Sequence, residues 1–128
     1  VSETVLPRIG REAPEEVIDG FGAALRAGDV GAAAALFSLE GCFVTPDSTV
    51  IHGREPIRGF LRQLVDLAAD LTFEQRTVMR AGDIAVASES WSMRIGSGAG
   101  VVRATRATIV LGRVQGVWRI AVADPWRY

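Results

Sequence analysis

The side chains in this sequence that could do chemistry are few and lie far apart in the chain. Asp124, the last residue before Pro125, is the best candidate acid or base, because a partly buried carboxylate can be tuned upward for proton transfer. Arg106 offers a planar fork of donors able to hold a carboxylate or an enolate oxygen, provided that it faces a cavity. Ser88, Ser90, Thr45 and Thr108 supply hydroxyls that would orient a bound molecule, although hydroxyls on strands are ordinary. His52 has the unperturbed pKa for acid–base work but precedes the turn at Gly53. Asp47 lies in a Pro-Asp turn, where bonding to its own backbone accounts for it. Cys42 sits in an apolar stretch and reads as an inert buried thiol.

What is absent narrows the chemistry. Lys and Arg number 14 against 15 Asp and Glu, a net charge of −1, so no basic excess exists to grip a phosphate backbone and nucleic acid is an unexpected partner. A single cysteine forbids an internal disulfide, and a single histidine beside scattered acids lacks metal-ligand spacing; no metal and no cofactor are expected. No apolar run approaches the roughly 18 residues of a membrane span, and no signal-peptide pattern opens the sequence, which suggests a cytoplasmic protein without a membrane partner.

The elements that must position these groups are well punctuated. Residues 1–13 have no period and read as a loosely held arm, leaving 14–128 as one domain. Pro14, Glu15 and Glu16 start a helix whose Val17, Ile18, Phe21 and Leu25 share one face. Gly28 stops it, and Asp29 caps a short, small-sided helix anchored by Leu36 and Phe37. Cys42–Thr45 and Thr49–His52 read as a hairpin around Pro46-Asp47-Ser48, and Pro56 begins a third helix with Ile57, Phe60, Leu61 and Leu64 on its apolar face. Strands follow over Leu71–Arg80, Ile84–Ile95, Val101–Leu111 and Val117–Asp124, separated by turns at Ala81-Gly82-Asp83, Gly96–Gly100 and Gln115-Gly116. Helices first and a strand meander after them predict an α+β fold with one curved antiparallel sheet.

At "AALRAGDVGAAAALFSLEGCFVTP", "IHGREPIRGFL" and "GVWRIAVAD" the sequence resembles the nuclear-transport-factor-2-like superfamily, in particular its SnoaL-like polyketide cyclases and its ketosteroid isomerases. The resemblance covers about Pro14 to Trp126 and implies a cystatin-like cone, with three helices packed on the curved sheet around a pocket. It fixes fold more than function. The isomerase site does not carry over. Its oxyanion-hole tyrosine falls on Phe21, its general-base aspartate at or beside Thr45, and its protonated aspartate near Thr108, and none of these can play those parts. A ketosteroid isomerase of the usual mechanism is therefore excluded, while the place of Asp124 resembles that of an acidic residue in the cyclases.

Strand alternation sorts the remaining side chains into two faces. The assignment favoured by the resemblance turns Ser88, Ser90, Arg106, Thr108, Ala121 and Ala123 toward the cavity. It leaves Trp91, Ile109, Leu111, Trp118, Ile120 and Val122 as an outer apolar face suited to a homodimer. The reverse assignment puts Glu89, Trp91 and Asp124 inside. Two functions fit. One is a cofactor-independent cyclase or isomerase of secondary metabolism, acting on an apolar, polyketide-like molecule. In it Asp124 is the acid or base, Arg106 the electrostatic clamp, Thr45, Ser88, Ser90 and Thr108 the orienting hydroxyls, and Phe21, Phe43 and Phe60 the apolar walls. The other is a non-catalytic ligand-binding or dimerisation module.

Overall fold

The computed structural model describes residues 13–95 and 100–126, the side chains of 68–70 excepted. The expected arm and most of the expected Gly96–Gly100 loop lie outside the described residues. Helix α1 spans Pro14–Arg26; the Ala13 N–H donates to Glu16 Oε1 at 3.2 Å, so an acidic side chain satisfies an otherwise orphaned donor. Asp29 caps α2, Val30–Ala35, by accepting from the Ala32 N–H at 3.1 Å. Phe37, expected to anchor that helix, instead begins strand β1, Phe37–Val44, because the Ile120 N–H captures the Leu36 carbonyl at 2.8 Å and pulls the chain into the sheet. Strand β2 covers Val50–His52 and α3 Arg54–Leu67, starting ahead of Pro56. Then come β3, Ala68–Ala81; β4, Ile84–Ile95; β5, Val101–Val114; and β6, Val117–Asp124. The turn into β6 has positive φ at both Gln115 (55°) and Gly116 (79°), the geometry that matches hairpin twist.

The six strands form one sheet in the order β2-β1-β6-β5-β4-β3. Its pairings are antiparallel except β1 with β6, which is parallel, so the expected antiparallel sheet is mixed at that one seam. Val17, Ile18, Phe21 and Leu25 of α1, Val30 and Ala33 of α2, and Ile57 and Leu61 of α3 bury against Phe37, Phe43, Leu111, Trp118 and Ile120 of the sheet. This is the cone: three helices closing the concave side of a curved sheet.

The curvature comes from bulges at definite places. β3 slips register at Glu74, between the pairs Phe73–Trp91 and Gln75–Ser90, and β5 slips at Thr105–Arg106, between Ala104–Trp91 and Ala107–Glu89. Both neighbours of β4 thus kink at the level of Ser90. Extra residues there bend the sheet and raise its twist, and the bend opens beside Glu89 and Trp91. In β6 a third slip leaves Ala121 unpaired between Ile120–Leu111 and Val122–Val110. That extra residue changes the alternation: Trp118 and Ile120 point inward, and after the bulge it is Ala123 that is buried and Asp124 that is not.

Candidate active site

The face of β4 turned to the helices carries Ala85, Ala87, Glu89, Trp91 and Met93, all buried. Ser88 is exposed, and Ser90 lies on that same outer side. The concave face is therefore the apolar one, and the favoured face assignment is reversed by the structure except at Ala123, which lines the cavity as expected. Trp91, Ile109, Leu111, Trp118 and Ile120, expected on an outer dimer surface, are buried on the cone side, with only Val122 of that set outside. Physically, the helices need an apolar sheet surface to bury, and the serine- and arginine-bearing face cannot supply one.

Between helices and sheet lies a cavity of about 590 Å³, lined by Phe21, Phe43, Phe73, Trp91, Met93 and Trp126 among others. Its aromatic wall is fixed in place. The Trp91 indole N–H donates to the Pro125 carbonyl at 2.7 Å, and Trp126 donates to the Val44 carbonyl, so each polar tip is satisfied and each ring faces inward. Trp126 meets Trp91 edge-on with centroids 5.3 Å apart, and Phe43 and Phe60 at 6.3 and 6.4 Å. Phe60 touches Phe43 at 5.3 Å and so backs the wall from behind. Phe21 and Phe43 line the cavity directly.

One carboxylate enters this apolar chamber. Glu89 is 7% exposed, the one buried charged residue among those described, and it lines both the main cavity and an adjoining polar one of about 450 Å³. Burial pushes its pKa up; the Arg76 guanidinium opposes that rise and the Asp19 carboxylate adds to it. Arg76 is the cross-strand partner of Glu89 and is tied to α1 through an ion pair with Asp19 at 2.7 Å. Burial thus favours the protonated carboxyl, the form that can donate a proton to a ligand oxygen and take it back. The signal was present in the alternation Ala85, Ala87, Glu89, Trp91, Met93: a lone acid on an otherwise apolar strand face.

The other expected site residues lie elsewhere. Asp124 is half-buried and pairs with Thr108 on the outer face of the sheet, carried there by the bulge at Ala121. Arg106 is exposed at the β5 bulge, and the Thr108 hydroxyl donates to the Arg106 carbonyl at 3.3 Å. Thr45 belongs to the turn after β1: its hydroxyl donates to the Asp47 carboxylate, the main cause that lowers the Asp47 pKa. Ser88, Ser90, Arg106 and Thr108 thus share a surface but do not meet Phe21, Phe43 or the cavity. Cys42 is half-buried rather than buried, opposite the exposed His52 on β2. Among the described residues no cluster of His, Cys, Asp and Glu is arranged to hold a metal ion.

The wall between the two cavities is narrow. A Cβ built on Gly22 of α1 would come within 2.8 Å of the Phe73 ring, so glycine there lets that ring lie against the helix. Gly22→Ala is expected to displace Phe73 and cost about 1–3 kcal/mol of stability, the usual range for overpacking. Urea unfolding checks it; an unchanged midpoint would show that the ring swings aside freely.

A cone of three helices on a bulged six-stranded sheet, with a cavity under the helices, defines the nuclear-transport-factor-2-like class. Within that class the chain belongs to the SnoaL-like family, whose domain profile matches residues 15–123. Among solved structures it is similar to Aln2 from a Streptomyces species, with 25% identity, TM-score 0.71, and 90% of this chain and 92% of that chain covered. A ketosteroid isomerase-like protein from Erwinia carotovora atroseptica shares 16% identity at TM-score 0.72, covering 86% of this chain and 89% of that one. A protein of ketosteroid isomerase-like fold from Catenulispora acidiphila, solved in complex with trimethylamine, shares 18% identity at TM-score 0.68, covering 88% and 84%. No curated protein sequence matches the chain. No helix among the described residues is long and apolar enough to cross a membrane.

Proposed function

We propose that the protein is a cofactor-independent acid–base enzyme, of cyclase or isomerase type, acting on an apolar ring-bearing small molecule held in the cone. The observation that carries this reading is Glu89, a buried carboxyl whose protonated form is favoured, set in an aromatic chamber large enough for a small polycyclic ligand. Membership of a SnoaL-like superfamily that includes isomerases and cyclases agrees with it. Glu89 gives its proton to a ligand carbonyl oxygen, water takes the proton from the adjoining carbon to leave the enol, and reversal returns both protons, while Trp91, Trp126 and Phe43 hold the ring system so that reacting atoms stay aligned.

Native mass spectrometry of the purified protein tests occupancy, and solvent-deuterium exchange into the bound compound tests chemistry. Exchange with the wild-type protein that disappears in Glu89→Gln supports the enzyme. A tightly bound compound that never exchanges favours the non-catalytic binding module instead. A homodimer, if formed, would use the outer sheet face of Val86, Val110 and Val122 rather than the buried residues first expected there. Sedimentation of the wild type against Val110→Arg checks this: a dimer that the arginine dissociates places the interface on that face.

A further inference from the structure

Arg26, the last residue of α1, reaches both the aromatic cavity and the polar one beside it, as do Phe73 and Glu89. Its guanidinium lies over the Phe73 ring at 5.4 Å, which fixes the stem while leaving the donors at its edge available. Among the described residues no carboxylate pairs with it, whereas Arg76, which also lines the polar cavity, is committed to Asp19 at 2.7 Å and Arg113 to Asp83 at 2.8 Å. A basic residue in the last turn suits the helix dipole, and that alone would explain its charge. It would not explain why the side chain is laid along the ring that separates the two cavities.

The polar end of the main cavity is therefore built mainly of donors. Arg26 offers N–H groups only, and Glu89, whose protonation burial promotes, adds an O–H in its protonated form. A ligand that satisfies both must bring acceptors. We propose that Arg26 is a ligand-binding residue, and that the molecule taken into the cone is an apolar ring body ending in a carboxylate or an equivalent anionic oxygen. This rests on the reading of the cone as a small-molecule pocket and adds the charge and polarity of the ligand to it.

Naphthalene-carboxylate and naphthalene-carboxamide, matched in shape and differing in charge, are the probes, with binding followed by quenching of tryptophan fluorescence. The wild-type protein is expected to bind the carboxylate about tenfold more tightly than the carboxamide, the preference that one charge-assisted pair provides. Arg26→Gln, an exposed substitution, is expected to bring that ratio to about one, while Arg26→Lys keeps part of it. Glu89→Gln is expected to retain the preference, even where it abolishes exchange chemistry, so failure of the acid and failure of the anion site are read separately. Equal affinities in the wild type, or a preference unchanged in Arg26→Gln, would overturn the proposal. Binding of neither probe would overturn the pocket reading and this inference with it.

Discussion

Glu89→Gln is expected to lower turnover roughly 100- to 10,000-fold, the range that a general acid or base contributes, while leaving ligand affinity nearly unchanged. Glutamine keeps the shape and a donor but cannot release a proton. The loss should therefore appear in kcat, measured as the initial rate of solvent-deuterium exchange. Asp124→Asn carries the competing expectation. Should it take the larger loss, the strand-end carboxylate is the working group and Glu89 is a structural acid. The same substitution at Glu89 has a signature in stability. Its folded-state pKa lies above the unfolded value of about 4.3, chiefly through burial. Below that value both states are protonated and the group costs nothing. As pH rises, the unfolded chain ionises first, so the folded state binds more protons and stability falls until the pH has passed the raised folded value. Glu89→Gln should remove this slope and be the more stable protein at the alkaline end. Thermal unfolding across the acid-to-neutral range reads it directly. Parallel stability profiles for the two proteins would mean that Glu89 ionises in the fold as freely as in water.

The pH dependence of turnover follows from the same shift, with the opposite use of the proton. If neutral Glu89 acts as the acid, turnover declines as pH rises through its folded pKa, because the donor is titrated away. A rate that climbs over that interval would make it a base. The charged groups facing it belong to two elements of the fold: Asp19 and Arg26 on α1, and Glu74 and Arg76 on β3. Since the Asp19–Arg76 ion pair sits beside it, Arg76→Met should move the inflection of the profile upward without abolishing turnover.

Much of the fold could be read from residue order because each element carries its own stop and start. Pro14, Asp29 and Gly28 mark the first two helices, and Ile84–Ile95 and Val117–Asp124 have the bounds that alternation assigns them. The site was harder to read because a period of two reports only that faces alternate. Which face is inside depends on where the helices land, and a bulge changes the answer partway along a strand. Glu89 and Trp91 obey the simple period and belong to the cavity. Asp124 obeys it only as far as Ile120, after which the unpaired Ala121 moves it to the other side. The bulges at Glu74 and Thr105–Arg106 flank β4 on both sides beside Ser90 and Trp91, and nothing in the local composition announces them.

Deleting Ala123 is accordingly expected to be the most damaging single change in β6. The bulge at Ala121 and the outward Val122 stay as they are, so the next residue, Asp124, takes the buried position that Ala123 holds at 1% exposure. An ionised carboxylate taken into an apolar interior without a partner costs several kcal/mol, and a domain of this size has only about 5–15 kcal/mol in total. The deletion should therefore unfold most of the protein near neutral pH, seen as loss of the cooperative urea transition. Combining the deletion with Asp124→Ala isolates the cause. The double variant keeps the shortened strand but buries a methyl group, so it should recover a cooperative transition. If it stays unfolded, the shortened strand, which draws Pro125 and Trp126 back from their places against Trp91 and Val44, is the cause and not the buried carboxylate. Recovery would show that the facing set by the unpaired Ala121 decides which carboxylate the cavity receives: Glu89 from β4 and none from β6.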